Sequence, residues 1–121
     1  MALEFNDGGA LKAAGIVEPS PNDGVTLPPA RTAGVERVEG VATGQVDVIL
    51  LEPIGEDEFV GVATPTGGAA NGRVANLEWR DETTIRVEGK TVGDNFDNFP
   101  IWFMFWRLPG GTPARTPAQP A

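Results

Sequence analysis

One ten-residue run near the end of the chain constrains the rest: Phe99-Pro100-Ile101-Trp102-Phe103-Met104-Phe105-Trp106-Arg107-Leu108. It carries five of the nine aromatic residues. As a strand it points Ile101, Phe103 and Phe105 to one side and Trp102, Met104 and Trp106 to the other. Both sides are apolar. Such a strand is expected to be covered twice, inside a sandwich or between a sheet and a neighbouring chain. Each buried aromatic takes roughly 150–250 Å² out of water. Five of them give on the order of 1,000 Å², a gross gain of about 25 kcal/mol as an upper bound. Phe99, Ile101, Trp102, Phe103, Phe105 and Trp106 are therefore the expected core or interface residues.

The rest of the chain must cover that strand. With 121 residues it has room for one domain. Sixteen Gly and 11 Pro argue against long helices and for turns and extended segments. Residues 1–34 read as an extended arm, interrupted throughout by Gly and Pro. Within it, Ala10-Leu11-Lys12-Ala13-Ala14 admits one helical turn, and Ile16-Val17 and Val25-Thr26-Leu27 are apolar anchors suited to edge strands. Strands are expected from Val35 onward, the first of them bulged because Val38 and Val41 do not share a face. Val46, Val48 and Leu50 mark the next strand, and residues 45–64 suggest a hairpin around the acidic turn that holds Glu56, Asp57 and Glu58. Residues 65–72 read as a loop. Arg73, Ala75, Leu77 and Trp79 then alternate with polar positions, and Ile85 and Val87 point inward from the strand that follows. Residues 35–108 form the expected β-core, and residues 109–121 a Pro-rich tail. The fold class that follows is all-β: an antiparallel sandwich or small barrel of about six strands with extended N- and C-terminal arms.

The residue types that are missing narrow the chemistry. There is no His, Cys or Tyr, and Ser20 is the single Ser. Ser-His and Cys-His nucleophile systems and His- or Cys-based metal sites cannot be built. Carboxylate chemistry of the glycoside-hydrolase kind remains. The carboxylates, however, sit mostly in turns or opposite the apolar faces, as on a solvated surface. No catalytic residue and no cofactor are expected. The net charge of −8 disfavours nucleic acid. No basic region followed by an apolar run opens the chain, so no signal peptide is expected. The apolar run is about half of the roughly 20 residues a membrane helix needs, and no membrane partner is expected.

Two clusters merit weighing. Gly93-Asp94-Asn95-Phe96-Asp97-Asn98 is rich in side-chain oxygens, which makes Asp94 and Asp97 the weak metal candidates, for Ca²⁺. The same residues are ordinary turn formers, and that reading is preferred. Trp102 and Trp106 share a face, and with Trp79 they offer an alternative function as a sugar-stacking platform. Core packing with an intersubunit contact is preferred over it.

The Pro/Gly arm at 15–34, the loop at 66–72, the run Trp79-Arg80-Asp81-Glu82-Thr83-Thr84-Ile85-Arg86-Val87 and the tail at 109–121 together resemble a small virion protein of a tailed bacteriophage. Within that class the chain is similar in character to head decoration, or cement, proteins. The resemblance implies a non-enzymatic structural protein on the capsid surface, a homo-oligomer with a trimer favoured, bound to the major capsid protein through extended arms. A fibre or spike domain that binds carbohydrate is the alternative within the same resemblance. It carries no motif and assigns no site residue.

Overall fold

The computed structural model describes residues 11–19, 26–27, 31–66 and 72–108. The expectations for the far N-terminus, for most of the 65–72 loop and for the tail lie outside these residues. The described chain is all-β and antiparallel. Its strands are β1 (Leu11–Val17), β2 (Thr26–Leu27), β3 (Thr32–Ala33), β4 (Val35–Ala42), β5 (Gln45–Leu50), β6 (Phe59–Pro65), β7 (Arg73–Asp81), β8 (Thr84–Thr91) and β9 (Ile101–Arg107). One sheet runs β3-β1-β9-β6. The other runs β4-β5-β8-β7, with the two-residue β2 at its β4 edge. The sheets lie face to face as a sandwich and do not close into a barrel. Among the described residues, with the two-residue β2 included, the sheets hold four and five strands, nine in all, where about six were expected.

Side-chain alternation sets which face of each strand turns inward. Val46 and Val48 of β5 and Ile85 and Val87 of β8 are fully buried, and each pair alternates with polar residues. They meet Ile101, Phe103 and Phe105 of β9 across the sandwich. The Phe59 and Phe105 rings lie 5.2 Å apart, and those of Phe103 and Phe105 6.1 Å, both within the range of favourable aromatic pairs. The bulged character expected of β4 is present, with register shifts between Val35 and Arg37 and between Gly40 and Ala42. Two hairpins are tight: β4 to β5 through Thr43-Gly44, and β7 to β8 through Glu82-Thr83. Gly44 has φ +74°, and a Cβ there would stand 2.7 Å from the Gly89 carbonyl oxygen, so the turn requires glycine.

Three expectations are corrected. First, Leu11 to Ala14 are strand, not a helical turn, and β1 is an interior strand between β3 and β9. Ala13 and Val17 belong to the core. Residue 35 is therefore no boundary between arm and core. Gly15 makes this possible, because Thr32 crosses so close that a Cβ would meet its Cα at 2.8 Å. Second, β5 and β6 do not form a hairpin. β5 pairs with β4 and β8, while β6 pairs with β9 alone. The connection crosses from one sheet to the other, and Ile54 in it is fully buried. Its backbone is anchored on both sides: Leu51 N–H donates to Gly34 O at 3.2 Å and Ile54 N–H to Glu82 O at 2.8 Å. A buried isoleucine in an acidic segment outweighs the hairpin pattern. Third, the strand count is higher than expected, because the N-terminal segments β1, β2 and β3 join the sheets; of the two expected architectures, sandwich or barrel, the sandwich is the one present.

Candidate interaction face

The aromatic strand β9 is covered on one side only. Ile101, Phe103 and Phe105 are buried in the sandwich, and Phe99 just before the strand is buried too. Trp102, on the opposite side, is 46% exposed. Met104 and Trp106 are half-buried. The cover expected on both sides is therefore present on one. The expected core residues divide: Phe99, Ile101, Phe103 and Phe105 fill the core, while Trp102 and Trp106 stand on the outer face.

Register extends that outer face across the whole sheet. Residues directly opposite in antiparallel strands share a side. Trp106 lies between Leu11 and Val60, Met104 between Ala14 and Val62, and Trp102 between Ile16 and Thr64. Ala33 continues the Met104 row beyond Ala14. Every one of these side chains is uncharged, and Thr64 alone carries a hydroxyl. Leu11 is 50% exposed, Val60 42% and Val62 58%. Several large apolar residues exposed side by side depart from the scattered pattern of an ordinary surface. A bulge keeps the one cation of β1 out of the patch. The register shifts between Leu11 and Ala13, and the extra residue, Lys12, pairs with Glu52 at 3.1 Å instead.

The outer face of the second sheet is the chemical opposite. Arg86 lies across from Asp47 and binds both its carboxylate oxygens, at 2.9 and 3.3 Å. That contact holds the Arg86 guanidinium above its ordinary pKa. Gln45 donates to Glu88 at 2.9 Å, and Arg37 binds Glu39 at 2.7 Å. This is a polar face laced with pairs across strands and, for Arg37 and Glu39, along one strand.

One end of the sandwich carries an open groove of about 610 Å³, lined by Lys12, Glu52, Ile54, Asp57, Glu58 and Arg107 among others. It gathers four carboxylates, Glu52, Asp57, Glu58 and Glu82. Glu58 accepts from Gly55 N–H at 2.9 Å and pairs with Arg107 at 3.3 Å. The backbone hydrogen bond first, and Arg107 second, hold its carboxyl below the ordinary range. A general acid needs the opposite displacement. Glu52 is taken up by Lys12.

The remaining candidates do not converge. Trp79 lies on β7, in the other sheet, packs against the core and donates its indole N–H to Ile54 O at 3.0 Å. It shares no platform with Trp102 and Trp106. Asp94 pairs with Lys90 at 3.2 Å and Asp97 with Arg73 at 3.0 Å. Among the described residues, no three groups of metal-ligating type come together. Asp94 adopts φ 72° in a turn closed by Asp94 N–H donating to Thr91 O, which fits the turn reading. Sequence reasoning missed Leu11, Ile16, Val60 and Val62 as partners of the tryptophans. The alternation of Val60 and Val62 with Phe59, Gly61 and Ala63 was a usable signal for β6. Nothing local placed β1 and β6 on either side of β9. No protein-family model, no curated protein and no solved structure matches the chain.

Proposed function

We propose that this chain is a non-enzymatic structural protein that works by protein–protein contact, and that its setting is a virion: a decoration protein on the capsid surface, oligomeric, bound to the major capsid protein. The observation that carries the reading is the uncharged outer face of the β3-β1-β9-β6 sheet, an apolar surface without the polar groups that orient a substrate. Two of the four carboxylates of the end groove, Glu52 and Glu58, are held in ion pairs, which agrees with that reading. The carbohydrate alternative retains Trp102 and Trp106 but loses Trp79. Sugars also need hydrogen-bonding side chains beside the stacking rings, and Thr64 is the one hydroxyl in the patch.

The test is to produce the tagged chain in a host making the particles of its own phage, then separate heads, fibres and free protein on a density gradient. Migration with heads at many copies per particle is expected. Recovery solely in the soluble fraction would remove the virion assignment.

A further inference from the structure

We infer that the outer face of the β3-β1-β9-β6 sheet is occupied by the same face of a second copy, so that two chains stack into a four-sheet pair. This rests on reading that face as a protein-contact surface, and it names the partner.

The chemistry of the patch restricts the occupant. A partner bearing charges would strip them of water against a surface that offers one side-chain hydroxyl in return, a costly exchange. The fitting partner is flat, uncharged and apolar. This face itself meets that description, and it is present at the concentration of the protein.

Charge then selects the geometry. Two chains of −8 repel each other through most orientations. In the sandwich, the charged outer face of the second sheet lies one sheet spacing, about 10 Å, behind the apolar one. Stacking apolar face on apolar face leaves the two charged faces about 30 Å apart, nearly four of the roughly 8 Å Debye lengths at physiological salt. Repulsion is weakest in this arrangement.

The size suits a weak pair. The seven-residue strands β1, β9 and β6 give about 23 Å of length and about 14 Å of width, and the two-residue β3 adds a corner. The face therefore covers about 360 Å² per copy, or roughly 700 Å² for two before side-chain relief is added. That lies below the roughly 1,200–2,000 Å² of stable specific interfaces, in the range of weak, transient ones. It predicts a pair that dissociates on dilution rather than an obligate one. Sheets facing each other at the ordinary spacing also accommodate a patch that mixes large tryptophans with the small Ala14 and Ala33. A face of this kind is used up by one partner. It leads to two chains where the resemblance to decoration proteins suggests three.

Met104 sits in the middle row of β9, an inner strand, so a two-fold axis through the centre of the face brings it close to its counterpart. The experiment is sedimentation of the full chain over a wide concentration range, for wild type, Met104→Glu, Val62→Glu and Asn76→Glu. Asn76 is exposed on β7 of the other sheet and serves as the control. Wild type is expected to pass from 12.7 kDa to twice that mass as concentration rises. Met104→Glu is expected to weaken the pair at least 100-fold and Val62→Glu at least 10-fold, with circular dichroism unchanged, while Asn76→Glu matches wild type. If Met104→Glu does not fold, Val62→Glu, at an exposed edge position, decides alone.

A single-chain mass at every concentration, a three-chain mass, or a pair untouched by Val62→Glu would overturn the inference. The functional reading fails separately. A two-chain species that never migrates with heads would remove the capsid assignment and leave the pair. A single chain that binds heads, with its tryptophans protected only there, would remove the pair and leave the capsid assignment.

Discussion

At the scale of single residues, neighbours along β9 answer to different demands. Phe103 is 1% exposed and packed on Phe105. Truncating it leaves a cavity among side chains that cannot collapse, so Phe103→Ala is expected to cost about 3–5 kcal/mol in urea denaturation. Trp102, one position earlier, keeps nearly half its surface in water. Trp102→Ala is expected to cost clearly less, about 1–2 kcal/mol in the isolated chain, because about half of the side chain stays in water in the folded protein. Equal losses for the two would contradict the assignment of faces. Glu58 gives a second residue-level expectation. Its folded carboxyl titrates below the ordinary 4.5, so its stabilising contribution is complete above that value and is lost as pH falls through the folded one. Asp81, held low first by the Thr83 N–H, behaves in the same sense. Glu58→Gln is therefore expected to be less stable than wild type at about pH 7, with the difference shrinking below about pH 4.5. A difference that grows on acidification would reverse the sign.

At the scale of elements, β1 shows where the sequence was legible and where it was not. The inward faces of β5, β7 and β8 could be read directly, since Val46, Leu77 and Ile85 alternate with polar outward partners, whereas β9, apolar on both sides, did not declare which side turns inward. β1 could not be read directly either. Its sequence, Leu-Lys-Ala-Ala-Gly-Ile-Val, contains a bulge at Lys12, and the bulge breaks the period that alternation depends on. Its glycine is there for a crossing backbone at Thr32, a long-range cause with no local trace. The β5–β6 crossover was hidden for a related reason. Two good strands joined by a polar turn look like a hairpin, and only the burial of Ile54 shows that the connection spans both sheets. The outer face was half legible. Trp102, Met104 and Trp106 declared it, but the neighbours that widen it come from residues about 40 and 90 positions away in the numbering. The consequence for β1 is measurable. Gly15→Val is expected to separate β1 from β3 and to cost about 1–3 kcal/mol by overpacking. Amide exchange from residues 13–17 should accelerate ahead of that from β5 and β8, and unchanged protection in β1 would refute its interior position. Removal of residues 1–34, which an arm would tolerate, is expected to abolish cooperative unfolding.

At the scale of the whole molecule, charge is segregated: a laced polar face, a charged end groove and an uncharged side. A chain of −8 that pairs through the uncharged side should associate more tightly as salt rises, since screening removes the remaining repulsion without touching the apolar contact. Sedimentation at low and at high sodium chloride is expected to show several-fold tighter pairing at the higher salt. Weakening by salt would point to an ion-paired interface elsewhere. The order of strands in the β3-β1-β9-β6 sheet has a further consequence, for the way the protein is made. All strands of the β4-β5-β8-β7 sheet have left the ribosome once residue 91 has emerged, but β1 and β6 have no common partner until β9 follows. Throughout that interval the nascent chain holds half a core, with Val46, Val48, Ile85 and Val87 facing nothing, in the kind of state that chaperones attend and that aggregates when released early. The strand that ends the wait supplies both the phenylalanines that close the interior and the tryptophans of the outer face. A chain whose synthesis stops before β9 therefore has no tryptophan face to offer, and under the pairing proposed above such incomplete copies would be left out.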